Sequence, residues 1–300
     1  MNLDFISIFY KKLEEKNINW EVSGLVSPNG KIFSLGSDSK LIGRIFELIS
    51  YHILQEIADE NGLLLHPSEA QTVYPDFTII NKHTGKITYW EHAGRMDDPY
   101  YANEHIVNKN KDENDNDKEK IAIDIKTTYR KFLKSGEPSG YVFTLGSFAS
   151  YMRDGKKNIS YPYNEYAKHY VIGFIYTRNE QTSEGQMFDI KALNKFPVPY
   201  KDVEVFVQEK YKISGDKPGS GNTENIGSFK TNKMEYLING EGPFSGLGIE
   251  TYENYWSGYK KYRGISTYTS LDEYFTIQEE HGHDVEELKR IYEYWKKTHK

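Results

Sequence analysis

The stretch Ile121-Ala122-Ile123-Asp124-Ile125-Lys126-Thr127-Thr128-Tyr129 constrains the fold more than any other part of this 300-residue chain. It is apolar enough to be a buried strand, yet it carries two opposite charges. Residues two apart on a strand point the same way, so Asp124 and Lys126 share one face while Ile121, Ile123 and Ile125 take the other. Charge is costly to bury unless it is paired or holds a metal. The strand is therefore expected inside a sheet, with a core on one side and chemistry on the other. A second apolar strand, Tyr74-Pro75-Asp76-Phe77-Thr78-Ile79-Ile80, opens with Pro-Asp.

Two carboxylates from neighbouring strands can share Mg²⁺, a hard cation that takes oxygen ligands and keeps several waters. A bound metal polarises a phosphoryl group and lowers the pKa of its water. A lysine alongside can orient that water and stabilise the charge that grows on the phosphoryl oxygens. A lone Asp-x-Lys is more often an ion pair at a strand end. Here Pro75-Asp76 precedes it, and Pro75-Asp76 … Asp124-Ile125-Lys126 has the form of the PD-(D/E)xK nuclease signature.

Over roughly residues 17–260 the chain resembles the EcoRV-like type II restriction endonucleases. The matching blocks run in order: Val22 to Ser27 with Gly30-Lys31-Ile32, Leu35 to Lys40, Ile45 to Leu48, Tyr74 to Thr78, and the Asp124 strand. Phe143 to Gly146, Lys157-Asn158-Ile159, Ile172 to Arg178, Gly219 to Thr223 and Asn225 to Ser228 follow. The resemblance implies Asp76, Asp124 and Lys126 as the catalytic trio, with Asp76, Asp124 and Glu47 associated with metal. It implies that Gly219, Ser220, Gly221, Asn222 and Thr223 form a loop reading base edges in the major groove. Gln71 and Thr72 match a second loop, touching the minor groove and backbone, and Thr128, Ser150 and Lys157 match residues near phosphates. The fold implied is α/β: a restriction-endonuclease-like mixed sheet flanked by helices, with a small dimerisation hairpin at 18–36. The partner implied is palindromic double-stranded DNA, with a target like GATATC and a central blunt cut. A two-fold homodimer on a palindrome follows from the symmetry of both.

Composition is compatible with this reading but does not carry it. The net charge is −6, whereas a basic footprint is the usual mark of a nucleic-acid binder. The acidic run at 112–119 can lie away from a cleft, and Lys156-Lys157 and Lys260-Lys261-Tyr262-Arg263 are local basic clusters. The absence of cysteine excludes disulfides and thiolate metal sites, and suits a cytoplasmic protein. No apolar run approaches a membrane span, and Met1-Asn2-Leu3-Asp4-Phe5 lacks the basic start of a secretory signal.

Hydrophobic spacing predicts a helix over Asp4 to Glu15. A longer one is predicted from Asp38 to Glu60, with Leu41, Ile42, Ile45, Phe46, Leu48, Ile49, Ile53, Leu54 and Ile57 as its apolar stripe. Trp20 to Leu35 reads as a hairpin turning at Pro28-Asn29-Gly30. Val171 to Thr177 and Val203 to Gln208 read as strands, the second with Val203, Val205 and Val207 on its more buried face. Ser214 to Gly227 is polar and Gly-rich and reads as a loop. Its Gly219-x-Gly221 lacks the Gly-Lys-Ser/Thr of a phosphate cradle. Asp284 to Lys297 reads as an amphipathic helix, with Val285, Leu288, Ile291 and Trp295 in line.

The segment between the two acids complicates the assignment. It contains Tyr89-Trp90-Glu91-His92-Ala93-Gly94, which resembles a strand that directly follows Pro-Asp-Phe-Thr-Ile in another PD-(D/E)xK lineage. Asp76 thus has two candidate partners, Glu91 or the pair Asp124 and Lys126. The second is favoured, because everything downstream continues the same resemblance. Residues 82–119 are then an insertion within a single domain spanning 1–300. A DNA-binding protein disabled for cleavage is a further alternative, opposed by the intact Asp76, Asp124 and Lys126. His92, His105 and the pair His281 and His283 lack a closing ligand set at metal spacing and read as ordinary core or surface histidines.

Overall fold

The computed structural model describes residues 3–81, 120–182, 184–191, 196–219, 224–260 and 268–299. Its first half contains α1 (Phe5–Lys16), β1 (Gly24–Val26), β2 (Lys31–Ser34), α2 (Ser39–Glu60), β3 (Leu63–Pro67), β4 (Phe77–Asn81), β5 (Lys120–Tyr129) and β6 (Thr144–Ser147). Its second half contains β7 (Tyr166–Arg178), β8 (Met187–Asp189), β9 (Tyr200–Glu209), α3 (Lys210–Ile213), β10 (Ser214–Pro218), β11 (Asn225–Ser228), α4 (Met234–Asn239), α5 (Pro243–Gly258), α6 (Leu271–Glu280) and α7 (Glu286–Thr298).

The central sheet has five strands in the order β3-β4-β5-β7-β9. The β5–β7 pair is parallel and the other pairs are antiparallel, so the sheet is mixed, as expected. Parallel strands need cover on both faces, and both are covered. On one side Ile121, Ile123, Ile125, Ile172 and Phe174 pack against α1 and α2, where the Phe46 and Phe174 rings stack at 4.3 Å. On the other side Val171, Ile175 and Phe206 meet residues of α5, α6 and α7. Gly173 is a close approach between β7 and β9: a Cβ there would collide with the Phe206 ring.

Helix α2 is built as its sequence predicts. The Asp38 carboxylate caps it, accepting from the backbone N–H groups of Lys40 and Leu41 at 3.0 and 3.1 Å. Such a cap contributes about 1 kcal/mol. Ile42, Ile45, Phe46, Ile53, Leu54 and Ile57 are buried. Leu48, read as part of the stripe, is instead exposed.

Three sequence expectations need correction. The hairpin at 18–36 forms, with strands β1 and β2, but β8 adds a third strand beside β2 that local patterning did not predict. In β9 the alternation holds only through Val205. From Phe206 to Glu209 both faces are buried, because α4 and the α5–α7 layer cover the side expected to be polar. Ser214 to Gly227 is not one loop: β10 and β11 pair antiparallel, and β11 pairs with β6. Neighbouring backbone groups, rather than side-chain pattern, recruit these polar residues into a sheet.

Candidate active site

The register of β4 against β5 pairs Phe77 with Ile123. One step outward, that register sets Asp76 opposite Asp124. Asp76 Oδ2 accepts a hydrogen bond from the Ile125 backbone N–H at 2.6 Å. Asp124, only 2 % exposed, accepts from Lys126 Nζ through Oδ1 at 2.7 Å. The two acids and the lysine found by motif therefore form one cluster.

A fourth member of the cluster was not predicted. Lys210, also 2 % exposed, follows directly on β9 and donates through Nζ to Asp124 Oδ2 at 3.3 Å and to the Tyr151 hydroxyl at 3.3 Å. Its Nζ also lies 3.7 Å from the centroid of the Tyr74 ring. The register explains this placement: Asp124 pairs with Val171, and Val171 with Gln208. Lys210 is two residues beyond Gln208. In the sequence, Gln208-Glu209-Lys210 resembles a solvated strand end, and no local signal marks it as buried.

The electrostatics follow from burial and from these pairs. Burial pushes the Asp76 carboxyl up to about 7; the Lys126 ammonium opposes the shift, while the Asp124 and Glu47 carboxylates add to it. Burial also pushes Asp124 upward, but the ammonium groups of Lys126 and Lys210 outweigh it and hold Asp124 below the ordinary carboxylate value. The carboxyls of Asp76 and Asp124 are within hydrogen-bond reach of each other. Burial pulls Lys126 down, yet the carboxylates of Asp124, Asp76 and Glu47 keep it above the usual lysine value. Lys126 is thus a proton-holding donor at neutral pH. Burial pulls Lys210 down to about 8, with Asp124 opposing that shift.

The donor set suits a hard divalent cation. Two carboxylates converge with no imidazole or thiol among them, and Mg²⁺ is commonly held by one or two carboxylates plus water. Glu47 lies close enough for its charge to act on Asp76 and Lys126. Its carboxylate is held by Arg44 at 2.5 Å. Among the described residues, no three His, Asp or Glu side chains converge as a metal-binding group.

The remaining predicted residues fall into three groups. Thr128 is half-buried on the Asp124–Lys126 face of β5, farther along the strand. Gln71, Thr72 and Lys157 are exposed. Their loops are joined where the Tyr74 N–H donates to the Asn158 carbonyl at 3.0 Å and the Ser160 N–H to the Tyr74 carbonyl at 2.8 Å. Lys157 thereby stands beside the segment that leads into Asp76. Ser150 is buried in a π-helical turn, Phe148–Met152. Gly219 is buried, and its N–H donates to the Asn225 carbonyl at 2.9 Å. Ser220, Gly221, Asn222 and Thr223 lie outside the described residues, as do Glu91, His92 and His105.

The family model "Restriction endonuclease EcoRV" matches residues 16–90 and 107–279, which include Asp76, Asp124, Lys126 and Lys210. Residues 91–106, the unmatched interval, fall within the expected insertion. The chain is 36 % identical over 274 residues to the Type II restriction enzyme EcoRV of Escherichia coli, covering 88 % of this chain and 94 % of that protein. With its mixed sheet, its paired carboxylates and a match along most of its length, the chain belongs to the EcoRV restriction endonuclease family.

Proposed function

We propose that this type II restriction endonuclease hydrolyses both strands of a palindromic DNA duplex as a homodimer, with Asp76, Asp124 and Lys126 as its catalytic residues and Mg²⁺ as its metal. The observation that carries the reading is the convergence of Asp76, Asp124 and Lys126 across the β4–β5 pair. Asp76 and Asp124 would hold the metal, which when bound polarises the scissile phosphoryl group and acidifies a water.

The chain's own side chains supply the rest. Lys126 carries a firmly held proton, so it acts as a donor that orients the attacking water and neutralises charge growing on the phosphoryl oxygens. To do so it must release Asp124 Oδ1, freeing that oxygen as a ligand. The Ile125 N–H fixes Asp76 Oδ2, so the two carboxylates keep their relative position while Lys126 moves. Glu47 adds negative potential beside the pair and favours cation uptake.

Lys157, Gln71 and Thr72 form an exposed rim next to the Asp76 segment, a position suited to phosphate and groove contacts. The 219–223 loop is assigned to base reading, with a target like GATATC and a blunt central cut. For the dimer, the supporting feature is an apolar row across the small sheet: Leu25 pairs with Phe33, and Phe33 with Met187. These side chains are 57 %, 39 % and 62 % exposed. Among the described residues no helix is long and apolar enough to cross a membrane, and the proposed place of action is the cytoplasm.

Incubating the protein with plasmid DNA, with and without Mg²⁺, and sequencing the resulting ends tests activity, site and cut position together. Discrete metal-dependent ends at one palindrome are expected. Intact plasmid at all Mg²⁺ concentrations would overturn the proposal.

A further inference from the structure

Lys210 raises a physical problem. A lysine buried to this degree carries a large desolvation penalty, and a buried ion pair is often no more stable than a well-packed apolar substitute. Its contacts are specific nonetheless. They reach Asp124 Oδ2 on β5, the Tyr151 hydroxyl in the π-helical turn, and the face of Tyr74, the residue two before Asp76. Tyr74 is itself fixed: its ring stacks on Tyr151 at 4.2 Å, and its hydroxyl is 2.7 Å from His169 Nδ1. One ammonium therefore touches both segments that deliver the acids. It also occupies the Asp124 oxygen that Lys126 does not.

We infer that Lys210 is a positioning residue of the cleavage site, a rear cation that locks Asp124 through Oδ2, and the Asp76 segment through Tyr74, so that Asp124 Oδ1 alone is offered to the metal. The inference rests on the reading of Asp124 as a metal ligand. The two lysines then divide the labour by place. Lys126, partly exposed, can leave Asp124 for the substrate, whereas Lys210 is enclosed and has nowhere else to go. Without Lys210 the carboxylate could rotate and present either oxygen, and a misplacement of about 1 Å can cost on the order of 10²-fold in rate.

The test compares Lys210→Met, Lys210→Arg and Tyr151→Phe with the wild type and with Asp124→Asn, all as full-length protein. Four quantities are measured: thermal unfolding, metal-free DNA binding, Mn²⁺ binding by the resonance of the free ion, and single-turnover cleavage across a Mg²⁺ series. Lys210→Met should fold and bind DNA within about threefold of wild type, yet lose roughly 10–10²-fold in cleavage at saturating Mg²⁺. Its Mn²⁺ affinity should change as well, and Lys210→Arg should recover part of the rate. Wild-type cleavage and Mn²⁺ binding by Lys210→Met would overturn the inference, as would a rate loss that only tracks the fraction unfolded. If Lys210→Met does not fold, Tyr151→Phe decides. It keeps the ring but removes one acceptor of Lys210, and should slow cleavage about threefold with DNA binding unchanged; a wild-type rate overturns the inference. Asp124→Asn separates the two levels: if it cleaves normally, the site assignment itself fails, whatever Lys210 does.

Discussion

The backbone N–H of Ile125 donates to Asp76 Oδ2 at 2.6 Å, so the residue between Asp124 and Lys126 holds the acid of the neighbouring strand. The trio is thus braced by main chain, and side-chain substitutions within it should remove chemistry without dismantling the sheet. Asp124→Asn and Lys126→Ala are each expected to lower Mg²⁺-dependent cleavage by at least about 10²–10³-fold. Asp124→Asn should bind metal-free DNA at least as tightly as wild type, because a charge that repels phosphate is lost. Plasmid cleavage and gel-shift titration check both points, and near-normal cutting by either variant would sink the assignment.

The elevated Asp76 carboxyl predicts a pH dependence with a definite sign. In the folded, metal-free protein Asp76 keeps its proton up to about pH 7, against an ordinary value of 3.8. Its contribution to folding stability is fully present below the ordinary value and is lost as pH rises through 7. A cation needs the ionised form, so uptake must displace the proton. Below pH 7 the half-saturating Mg²⁺ concentration should rise by up to about tenfold per pH unit, and above about pH 8 it should level off. A Mg²⁺ requirement that stays flat between pH 6 and 8 would contradict the origin assigned to the shift.

Glu91→Gln should change cleavage by less than about twofold, as the proposed assignment of Asp124 and Lys126 to the site requires. Replacing 91–106 by a short linker should likewise leave metal-dependent cutting measurable. Loss of activity in Glu91→Gln together with survival of Asp124→Asn would transfer the catalytic role to the Trp90-Glu91-His92 segment.

The exposed row Leu25, Phe33 and Met187 should be the contact between two copies. The double variant Leu25→Glu, Met187→Glu places like charges on that face. It is expected to weaken self-association by on the order of 10²-fold or more, and to suppress double-strand cleavage at low protein concentration. Sedimentation velocity across a dilution series reads this directly. An unchanged dimer would remove the small sheet from the interface.

Base reading and backbone positioning should separate at Asn222 and Lys157. Asn222→Ala is expected to lose about 1–3 kcal/mol of discrimination for the cognate site, the worth of a bidentate contact to adenine. Lys157→Ala should weaken cognate and scrambled duplexes alike and reduce the salt slope by roughly one. If Asn222→Ala weakens both duplexes by the same factor, the 219–223 loop is not the reading element.

Much of the candidate site is legible in the sequence because its parts are local. Asp124 and Lys126 sit two apart on one strand, and Asp76 opens another apolar strand behind a proline. Helix α2 is legible for the same reason: its cap and its stripe lie within one continuous segment. Lys210 was not legible, since its burial depends on the registers of β5 on β7 and β7 on β9. Strands β8 and β11 were missed because they pair with β2 and β6, distant in the chain, and β10 because its residues are polar and its pairing with β11 is irregular. Ser150, matched to a phosphate neighbour, is buried in a π-helical turn, a placement that no local pattern in the sequence announces.

The order in which the strands enter the sheet has a consequence for the cell that makes this protein. Asp76, Asp124 and Lys126 emerge in the first half of synthesis, whereas β9, at the edge of the sheet beyond β7, and Lys210, which pairs with Asp124, arrive much later. A chain broken off before residue 200 would carry the motif but lack the far edge of the sheet and the rear ammonium that steadies Asp124. Fragments that end before residue 200 are therefore expected to cut poorly even though they carry the whole motif.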